Sequence, residues 1–181
     1  RLTAAGHAFD EANWRRMADM GWLALAVPEA DGGFGAGARE TMIVAEGLGR
    51  GLLREPFVSS SVLAVRLLAQ AASARQRELL GGIAEGRVRI ATALGEREGR
   101  FRLEHVATRA EAVDGGFRLS GFKSWVPDAG SAHHFIVPAR TAGEDGDPHG
   151  ISLFLVPADA EGLARRDLRG PDFQHMGQLS L

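Results

Sequence analysis

The sequence predicts an α+β protein of two domains, an N-terminal helical domain followed by a small β-sandwich or barrel. In the first half of the chain, apolar residues recur three or four positions apart, which is the spacing of one helix face. From Val88 onward they alternate with other residues in short runs separated by turn residues, as in β-strands. We therefore expect the helical domain over residues 1–86 and the β domain over residues 87–181.

The first helix is expected to begin after Asp10, whose carboxylate can cap its N-terminus, and to end at Gly21. Trp14 and Met17 lie three positions apart and would share its buried face. The buried face of a second helix consists of small and apolar residues, at Thr41, Met42, Ala45, Leu48 and Gly49.

A third and a fourth helix complete the first domain. The third carries the apolar residues Val62, Leu63, Leu67 and Leu68. The fourth opens with Ser73 and Gln76, which have the spacing of a capping box, and ends at Gly86. The residues that it would bury are Leu79, Leu80 and Ile83.

A glycine-rich turn separates the first two helices. The apolar run that starts at Trp22 stops at Pro28, and glycines follow at positions 32, 33, 35 and 37. Glycine at this density indicates positive φ angles or close approach of the backbone. The segment 33–38 also fits the dinucleotide-binding pattern G-x-G-x-x-G/A, which requires a strand before it and an acidic residue about 20 positions on, after a second strand. Since residues 59–86 have helical spacing, a turn within a helical domain is preferred over both the dinucleotide-binding site and a plain structural turn.

The second domain is expected to contain short strands at regular intervals. The first two alternate through Val88, Ile90, Thr92 and Leu94, and through Val106, Thr108, Ala110 and Ala112. The turn residues 114–116 predict a hairpin into a third strand at Phe117 and Leu119. Further strands are expected at residues 135–137, 151–156 and 178–181. This pattern is typical of a sandwich or barrel.

Composition excludes several classes of function. The net charge of −2 leaves no excess of positive charge for nucleic acid or for a membrane surface. The absence of cysteine excludes disulfides, thiolate catalysis and zinc–thiolate sites. Because no apolar stretch of about 18 residues and no signal sequence is visible, we expect a cytoplasmic protein.

Three groups of polar residues have a simple structural interpretation. His133 and His134 are neighbours on a predicted strand and therefore point to opposite faces. The polar loop 143–149 has acidic residues at a spacing compatible with a cation, but solvated loop charges are commoner. The charged run 96–98 is expected to form a salt-bridged turn. We therefore expect no metal site.

Three segments resemble motifs of the acyl-CoA dehydrogenase family. Residues 21–35, with Gly-Trp, Val-Pro-Glu and Gly-Gly-Phe-Gly, are similar to the signature of that family's N-terminal helical domain. Residues 90–101 fall where a strand of its β domain ends in Thr-Glu-Pro-x-Ala-Gly-Ser. Residues 121–129, Gly-Phe-Lys-Ser-Trp-Val-Pro-Asp-Ala, look like its Gly-x-Lys-x-Trp-Ile-Thr-Asn segment. The domain order is also that of the family, whose C-terminal helical domain is absent from this chain, and residues 178–181 resemble a β-domain strand cut short.

The resemblance implies that the chain binds FAD. The residues implied to contact the cofactor are Thr92, Leu94, Gly95, Glu96, Trp125 and Pro127. In the family, a threonine hydroxyl and backbone amides bind the pyrimidine edge of the flavin. Gly95 stands at the threonine position, and the missing hydroxyl would cost about 0.5–1.5 kcal/mol. Trp125 is implied to pack against the isoalloxazine, and Pro127 stands where a family threonine lies near flavin N5.

The resemblance also implies oxidation of an acyl-CoA to the 2,3-enoyl-CoA, with electrons passing to an electron-transfer flavoprotein. The glutamate that removes the α-proton lies in the family's C-terminal domain. We therefore expect no catalytic base among these 181 residues and no activity from them alone.

The departures from the family's motifs resemble the divergent subunits of two-component acyl-CoA dehydrogenases, nearest the small-subunit type represented by pimeloyl-CoA dehydrogenase. Three functions therefore stay open. The chain could belong to a dehydrogenase that forms a homo- or hetero-oligomer with a second acyl-CoA dehydrogenase subunit, to a non-catalytic subunit of such a pair, or to a flavin monooxygenase of the same fold. A glutamate at the base position of the third domain would favour the dehydrogenase.

Overall fold

The computed structural model describes residues 9–100, 102–170 and 174–181. Phe101, which closes the second family-like segment, therefore lies outside the described residues. The chain separates into two compact units, the first ending at Ile90 and the second beginning at Ala91. Among the described helices, none is long and apolar enough to cross a membrane.

The described part of the first unit is helical. Its α-helices are α1 (Glu11–Asp19), α2 (Ala38–Arg50), α3 (Val65–Ala71), α4 (Ala74–Arg77) and α5 (Leu79–Ala84). Single 3₁₀ turns lie at Trp22–Ala24 and Glu29–Asp31, and a π-helical segment, Phe57–Ala64, runs directly into α3. One buried core cluster of this unit consists of Trp14, Met17, Leu23, Leu48 and Phe57.

The cap predicted for α1 is confirmed. The Asp10 carboxylate accepts hydrogen bonds from the backbone N–H groups of Ala12 (2.8 Å) and Asn13 (3.3 Å). The indole of Trp14, on the buried face of α1, donates a hydrogen bond to the carbonyl oxygen of Gly86 over 2.9 Å. This bond ties the first helix to the turn that follows α5.

The buried face predicted for α2 is only partly right. Thr41 and Leu48 are buried, but Met42 is 61% exposed and Gly49 is exposed as well. With 3.6 residues per turn, a residue next to a buried position is rotated about 100° away from it. Met42 and Gly49 therefore cannot share the stripe of Thr41 and Leu48.

The predicted fourth helix is present in two pieces, α4 and α5. Its capping box is confirmed, because Ser73 Oγ accepts from the Gln76 N–H (3.4 Å) and Gln76 Oε1 accepts from the Ser73 N–H (2.9 Å). Leu80 and Ile83 are fully buried, as predicted. The third expected helix begins in the π-helical segment, where Leu63 is exposed, and continues in α3.

The glycine-rich turn combines both features predicted for it. Gly32 and Gly35 have positive φ angles of 87° and 60°. A β-carbon at Gly33 would lie 2.2 Å from the carbonyl oxygen of Val27. Because the segment before the turn, Trp22–Ala24, is a 3₁₀ turn instead of a strand, the dinucleotide-binding interpretation is excluded.

The described residues from Ile90 onward form eight strands. They are β1 (Ile90–Thr92), β2 (Arg109–Val113), β3 (Gly116–Ser120), β4 (Phe122–Pro127), β5 (His134–Arg140), β6 (Ile151–Pro157), β7 (Ala164–Arg169) and β8 (His175–Ser180). One sheet has the order β1-β5-β2-β3, with β6 also paired to β5, and the other has the order β4-β8-β7. Side chains of both sheets share one core, which includes Ala91, Val126, Phe135, Val137 and Leu179. The expected small β fold with two packed sheets is present.

The strand predictions succeed where the pattern is local. Strands β2 and β3 pair antiparallel with Val113 opposite Gly116, which confirms the predicted hairpin. The first predicted strand, through Val88 to Leu94, is present only as the short β1, and all three of its residues are buried. Strands β4 and β7 were not predicted. Most side chains of β7 are charged and exposed at a sheet edge, and β4 contains a bulge that breaks the alternation.

Candidate functional site

The residues that the sequence singled out lie on two segments of the β fold. They are Thr92, Leu94, Gly95 and Glu96, at the end of β1 and in the loop after it, and Trp125 and Pro127 in β4. A backbone hydrogen bond joins the two segments, because the N–H of Ser124 donates to the carbonyl oxygen of Gly95 over 2.9 Å. The structure therefore brings the loop after β1 next to the tryptophan-bearing strand.

The loop at Gly95 passes very close to β4. A β-carbon at Gly95 would lie 3.1 Å from the carbonyl oxygen of Ser124, although the φ angle of Gly95 is outside the left-handed region. Limited space, and not backbone conformation, therefore favours glycine here. Within the described ranges, the backbone N–H groups of Leu94, Gly95 and Glu96 donate to no other residue. These donors are available to a ligand.

The carboxylate of Glu96 points into the protein. Its Oε1 accepts hydrogen bonds from Lys123 Nζ (2.6 Å), from Thr108 Oγ1 (2.6 Å) and from the Thr108 N–H (3.1 Å). Its Oε2 accepts from the N–H of Ala107 (2.8 Å). The expected salt bridge within the turn 96–98 is wrong for Glu96, whose ion-pair partner is Lys123 in β4. The side chain of Glu96 is therefore not available to a ligand.

Burial and charge act in opposite directions on this ion pair. Burial on its own raises the pKa of Glu96, but the hydrogen bonds from Lys123 and Thr108 and the charge of Lys123 outweigh it, so the pKa falls below its ordinary value of 4.5. Burial lowers the pKa of Lys123 from 10.5, and the neighbouring Glu96 partly offsets that effect. Glu96 is therefore ionised at neutral pH.

Trp125 stands out from β4 on a β-bulge. Lys123 pairs with Leu179 and Val126 pairs with Gly177, so three steps along β4 match two along β8. At the bulge Trp125 has a φ angle of 54°, which is an outlier for a bulky residue. Its side chain is 68% exposed, whereas Ser124 and Val126 on either side are buried. The strained backbone thus presents an indole ring on the surface, a feature that apolar periodicity could not predict.

The other candidate residues are less accessible. Thr92 is buried at 3% exposure. Pro127 ends β4 opposite Met176 and is half-buried. Asp128, which follows it, adopts the left-handed conformation and donates its N–H to the carbonyl oxygen of His175 over 2.9 Å. This sharp turn ends the strand just beyond Trp125.

The groups considered as metal ligands do not converge. No set of three or more histidine, aspartate and glutamate side chains that could hold a metal ion occurs in the described part of the chain. Asp145 pairs with His105 Nδ1 at 3.2 Å, and Asp147 Oδ2 accepts from the N–H of Glu144. Burial lowers the pKa of His134, and the charge of Asp159 opposes this.

Arg140, to which no sequence motif pointed, is a buried structural residue at the end of β5. Its guanidinium donates to five backbone carbonyl oxygens over 2.8–3.5 Å, those of Glu104, Val106, Ala142, Asp147 and His149. The polar loop 143–149 is thereby fastened to the segment before β2. No motif pointed to a structural role of Lys123 either, although it is the only lysine of the chain and forms the buried ion pair with Glu96.

Comparison with known families matches nearly the whole chain. The family model described as "Acyl-CoA dehydrogenase, N-terminal domain" matches residues 2–87, and the one described as "Acyl-CoA dehydrogenase, middle domain" matches residues 91–181. Two curated relatives are acyl-CoA dehydrogenase FadE27 of Mycobacterium tuberculosis (32% identity) and benzylmalonyl-CoA dehydrogenase of Aromatoleum aromaticum (31%). The matches cover 96% and 86% of this chain but 44% and 41% of those proteins. The chain therefore spans less than half the length of these relatives.

Two solved structures show the same fold. One is a variant of the steroid ACAD Tcur3481-Tcur3483, with a TM-score of 0.85 and 35% identity over 96% of this chain and 46% of that chain. The other is the ChsE4-ChsE5 complex of Mycobacterium tuberculosis, with a TM-score of 0.83 and 32% identity over 96% of this chain and 45% of that chain. Both of these proteins are named as a pair of components.

Proposed function

Because the chain belongs to the acyl-CoA dehydrogenase family, we propose that it forms part of the FAD site of an enzyme that oxidises an acyl-CoA to the 2,3-enoyl-CoA. The reaction removes a proton from the α-carbon and a hydride equivalent from the β-carbon. FAD, when bound, accepts the hydride equivalent. The α-proton goes to a base outside these residues, as the family's domain order implies. The acyl chain is left open, and reoxidation by an electron-transfer flavoprotein is part of the proposal.

One observation carries this proposal. An exposed indole, that of Trp125, lies on the strand that hydrogen-bonds to Gly95, and the loop at Gly95 offers uncommitted N–H donors. A flat heteroaromatic ring with polar edges fits such a pair, because its face can stack on the indole while its edge accepts from backbone N–H groups. This arrangement suits the isoalloxazine ring system.

Each candidate residue has a distinct role in the proposed site. The backbone N–H groups of Leu94, Gly95 and Glu96 bind the pyrimidine edge, and Trp125 covers the ring. The buried side chain of Thr92 and the half-buried Pro127 shape the walls instead of donating hydrogen bonds. The missing hydroxyl at Gly95 makes backbone donors the main polar contacts at this edge.

A two-component assembly is the second part of the proposal. The steroid ACAD and the ChsE4-ChsE5 complex are both named as pairs of chains, and their identity to this chain is above 30%. We therefore propose a second acyl-CoA dehydrogenase chain as partner. The non-catalytic subunit and the flavin monooxygenase remain the alternatives, and the pimeloyl-CoA small-subunit type remains an expectation from the motifs.

Flavin titration of the full-length protein, with its partner chain present, tests the proposal. Binding of FAD should quench the fluorescence of Trp125, and the Trp125→Phe variant should lose most of this quenching while it keeps a ring. Trp22→Phe, in the helical unit, is the matched control and should leave the quenching nearly unchanged. Absence of FAD binding, or equal quenching in Trp125→Phe, would rule out the proposed site.

Product analysis separates the alternatives. A dehydrogenase converts acyl-CoA to enoyl-CoA under anaerobic conditions with an artificial electron acceptor. A monooxygenase needs oxygen and incorporates one of its atoms. The partner's own site is inactivated for this comparison. A non-catalytic subunit then gives neither product, although FAD and the partner are bound.

A further inference from the structure

We propose that Glu96 and Lys123 are positioning residues, whose buried ion pair holds the Trp125 bulge and the loop at Gly95 in the geometry that receives the flavin. This inference rests on the proposed function for its ligand, but the placement of Trp125 that it predicts is measurable without any ligand.

The ion pair lies directly behind the two proposed contacts. Glu96 follows Gly95, and Lys123 precedes Trp125 by two residues. The distance from Lys123 Nζ to Glu96 Oε1 is 2.6 Å, and neither side chain is more than 6% exposed. One residue away, Ser124 donates its N–H to the Gly95 carbonyl oxygen. The loop and the strand are therefore joined twice, once through side chains and once through the backbone.

A third segment of the chain also binds the Glu96 carboxylate. Thr108, one residue before β2, donates both its N–H and its hydroxyl to Glu96. The same residue packs against Gly121, where a β-carbon would lie 2.5 Å from Thr108 Oγ1. Gly121 immediately precedes β4. Thr108 and Lys123 therefore fix the start of β4 to the same carboxylate.

The bulge needs such support. A bulky residue with positive φ persists only where the surrounding structure over-determines it. If β4 shifted by one residue along β8, Trp125 would turn to the opposite face, because successive strand residues point to opposite sides. Lys123 and Glu96 oppose this shift, since moving Lys123 would leave both buried charges without a partner. A buried ion pair is often replaceable by uncharged residues without loss of stability, so positioning explains its presence better than stability does.

The decisive variant neutralises both charges, Glu96→Gln together with Lys123→Met, in the full-length protein labelled with 5-fluorotryptophan. The fluorine NMR signal of Trp125 is assigned by its disappearance in Trp125→Phe. Without FAD, the double variant should shift or broaden the Trp125 signal while the signals of Trp14 and Trp22 stay in place. With FAD, its dissociation constant should rise about tenfold or more. The matched control is Arg109→Met, which removes the exposed ion pair with Glu144 and should change neither readout.

Each outcome of these experiments either supports or overturns the positioning role of the ion pair. An unchanged Trp125 signal in a folded double variant overturns the inference, and so does a moved signal with unchanged FAD affinity. If the double variant does not fold, Thr108→Val takes its place, because it removes only one hydroxyl donor to Glu96. A shift of the Trp125 signal in this variant supports the inference, and an unchanged signal overturns it. If the wild-type protein binds no FAD, the proposed function fails, while the ligand-free signal still shows whether the ion pair positions Trp125.

Discussion

Gly33 packs against the backbone of Val27 so closely that a β-carbon on Gly33 would lie 2.2 Å from the Val27 carbonyl oxygen. The same oxygen accepts a hydrogen bond from the N–H of Gly35 over 2.8 Å, which holds the two backbone segments together. The added β-carbon would overlap the carbonyl group and the β-carbon of Val27, which are fixed by the backbone, so no change of rotamer can relieve the overlap.

We therefore expect Gly33→Ala to lower the free energy of unfolding by about 3 kcal/mol or more, through overlap with the backbone. Gly32→Ala is the matched control, because Gly32 has a φ angle of 87° but open space around it. That variant should cost only the left-handed penalty of about 1–2 kcal/mol. Urea unfolding measures both, and equal costs would contradict the close approach.

Acid should weaken the β unit through Glu96. The folded-state pKa of Glu96 lies below 4.5, so its ionised form stabilises the folded state fully above that pH, and the contribution is lost as the pH falls through the folded-state value. Urea midpoints measured from about pH 7 to pH 3 should therefore fall more steeply in the wild type than in Glu96→Gln. Glu144→Gln, at an exposed ion pair, should keep the wild-type slope. Parallel slopes for wild type and Glu96→Gln would count against a stabilising role of the ionised carboxylate.

A side chain at Gly95 should cost stability. Its β-carbon would lie 3.1 Å from the Ser124 carbonyl oxygen, so either the loop or β4 must move slightly. We expect Gly95→Ala to lose about 1 kcal/mol, because this crowding exceeds the entropic gain of alanine over glycine. Gly95→Thr should lose as much or more, with no tighter FAD binding despite its hydroxyl. Tighter binding of FAD by Gly95→Thr would show instead that the loop has room for the family's threonine.

Replacement of Arg140 should destabilise the β unit strongly. Arg140→Met leaves the carbonyl oxygens around the guanidinium without their donor, and we expect a loss of about 3 kcal/mol. Arg140→Lys keeps the charge but offers only three donors from one point, so it should recover only part of the loss. Arg166→Met, at an exposed position of β7, should stay within about 0.5 kcal/mol of the wild type. A near-neutral Arg140→Met would mean that water replaces the guanidinium at these oxygens.

Local signals in the sequence predicted the elements that depend on neighbours in the chain. The Asp10 cap, the Ser73–Gln76 capping box and the β2–β3 hairpin each arise from residues within a few positions of one another. The family-like motifs likewise located both segments of the candidate site. For the two caps and the hairpin, the physical cause lies within the motif itself.

Features that depend on contacts between distant segments could not be predicted in the same way. The Trp125 bulge follows from the register between β4 and β8, which no local pattern encodes. Glu96 carries charged neighbours that suggested a salt bridge within the turn, yet its partner, Lys123, is 27 positions away. The edge strand β7 could not be predicted, because most of its side chains are exposed and charged and the strand has no apolar face.

The burial of Lys123 also determines how these 181 residues can be labelled. The chain has no other lysine, and this side chain is 0% exposed. Reagents that acylate or cross-link primary amines therefore meet no accessible ε-amino group while the β unit is folded. Slow labelling of Lys123 would report transient opening of the strand that carries Trp125, so a mass-spectrometric time course with an amine-reactive ester becomes a measure of local unfolding at the site.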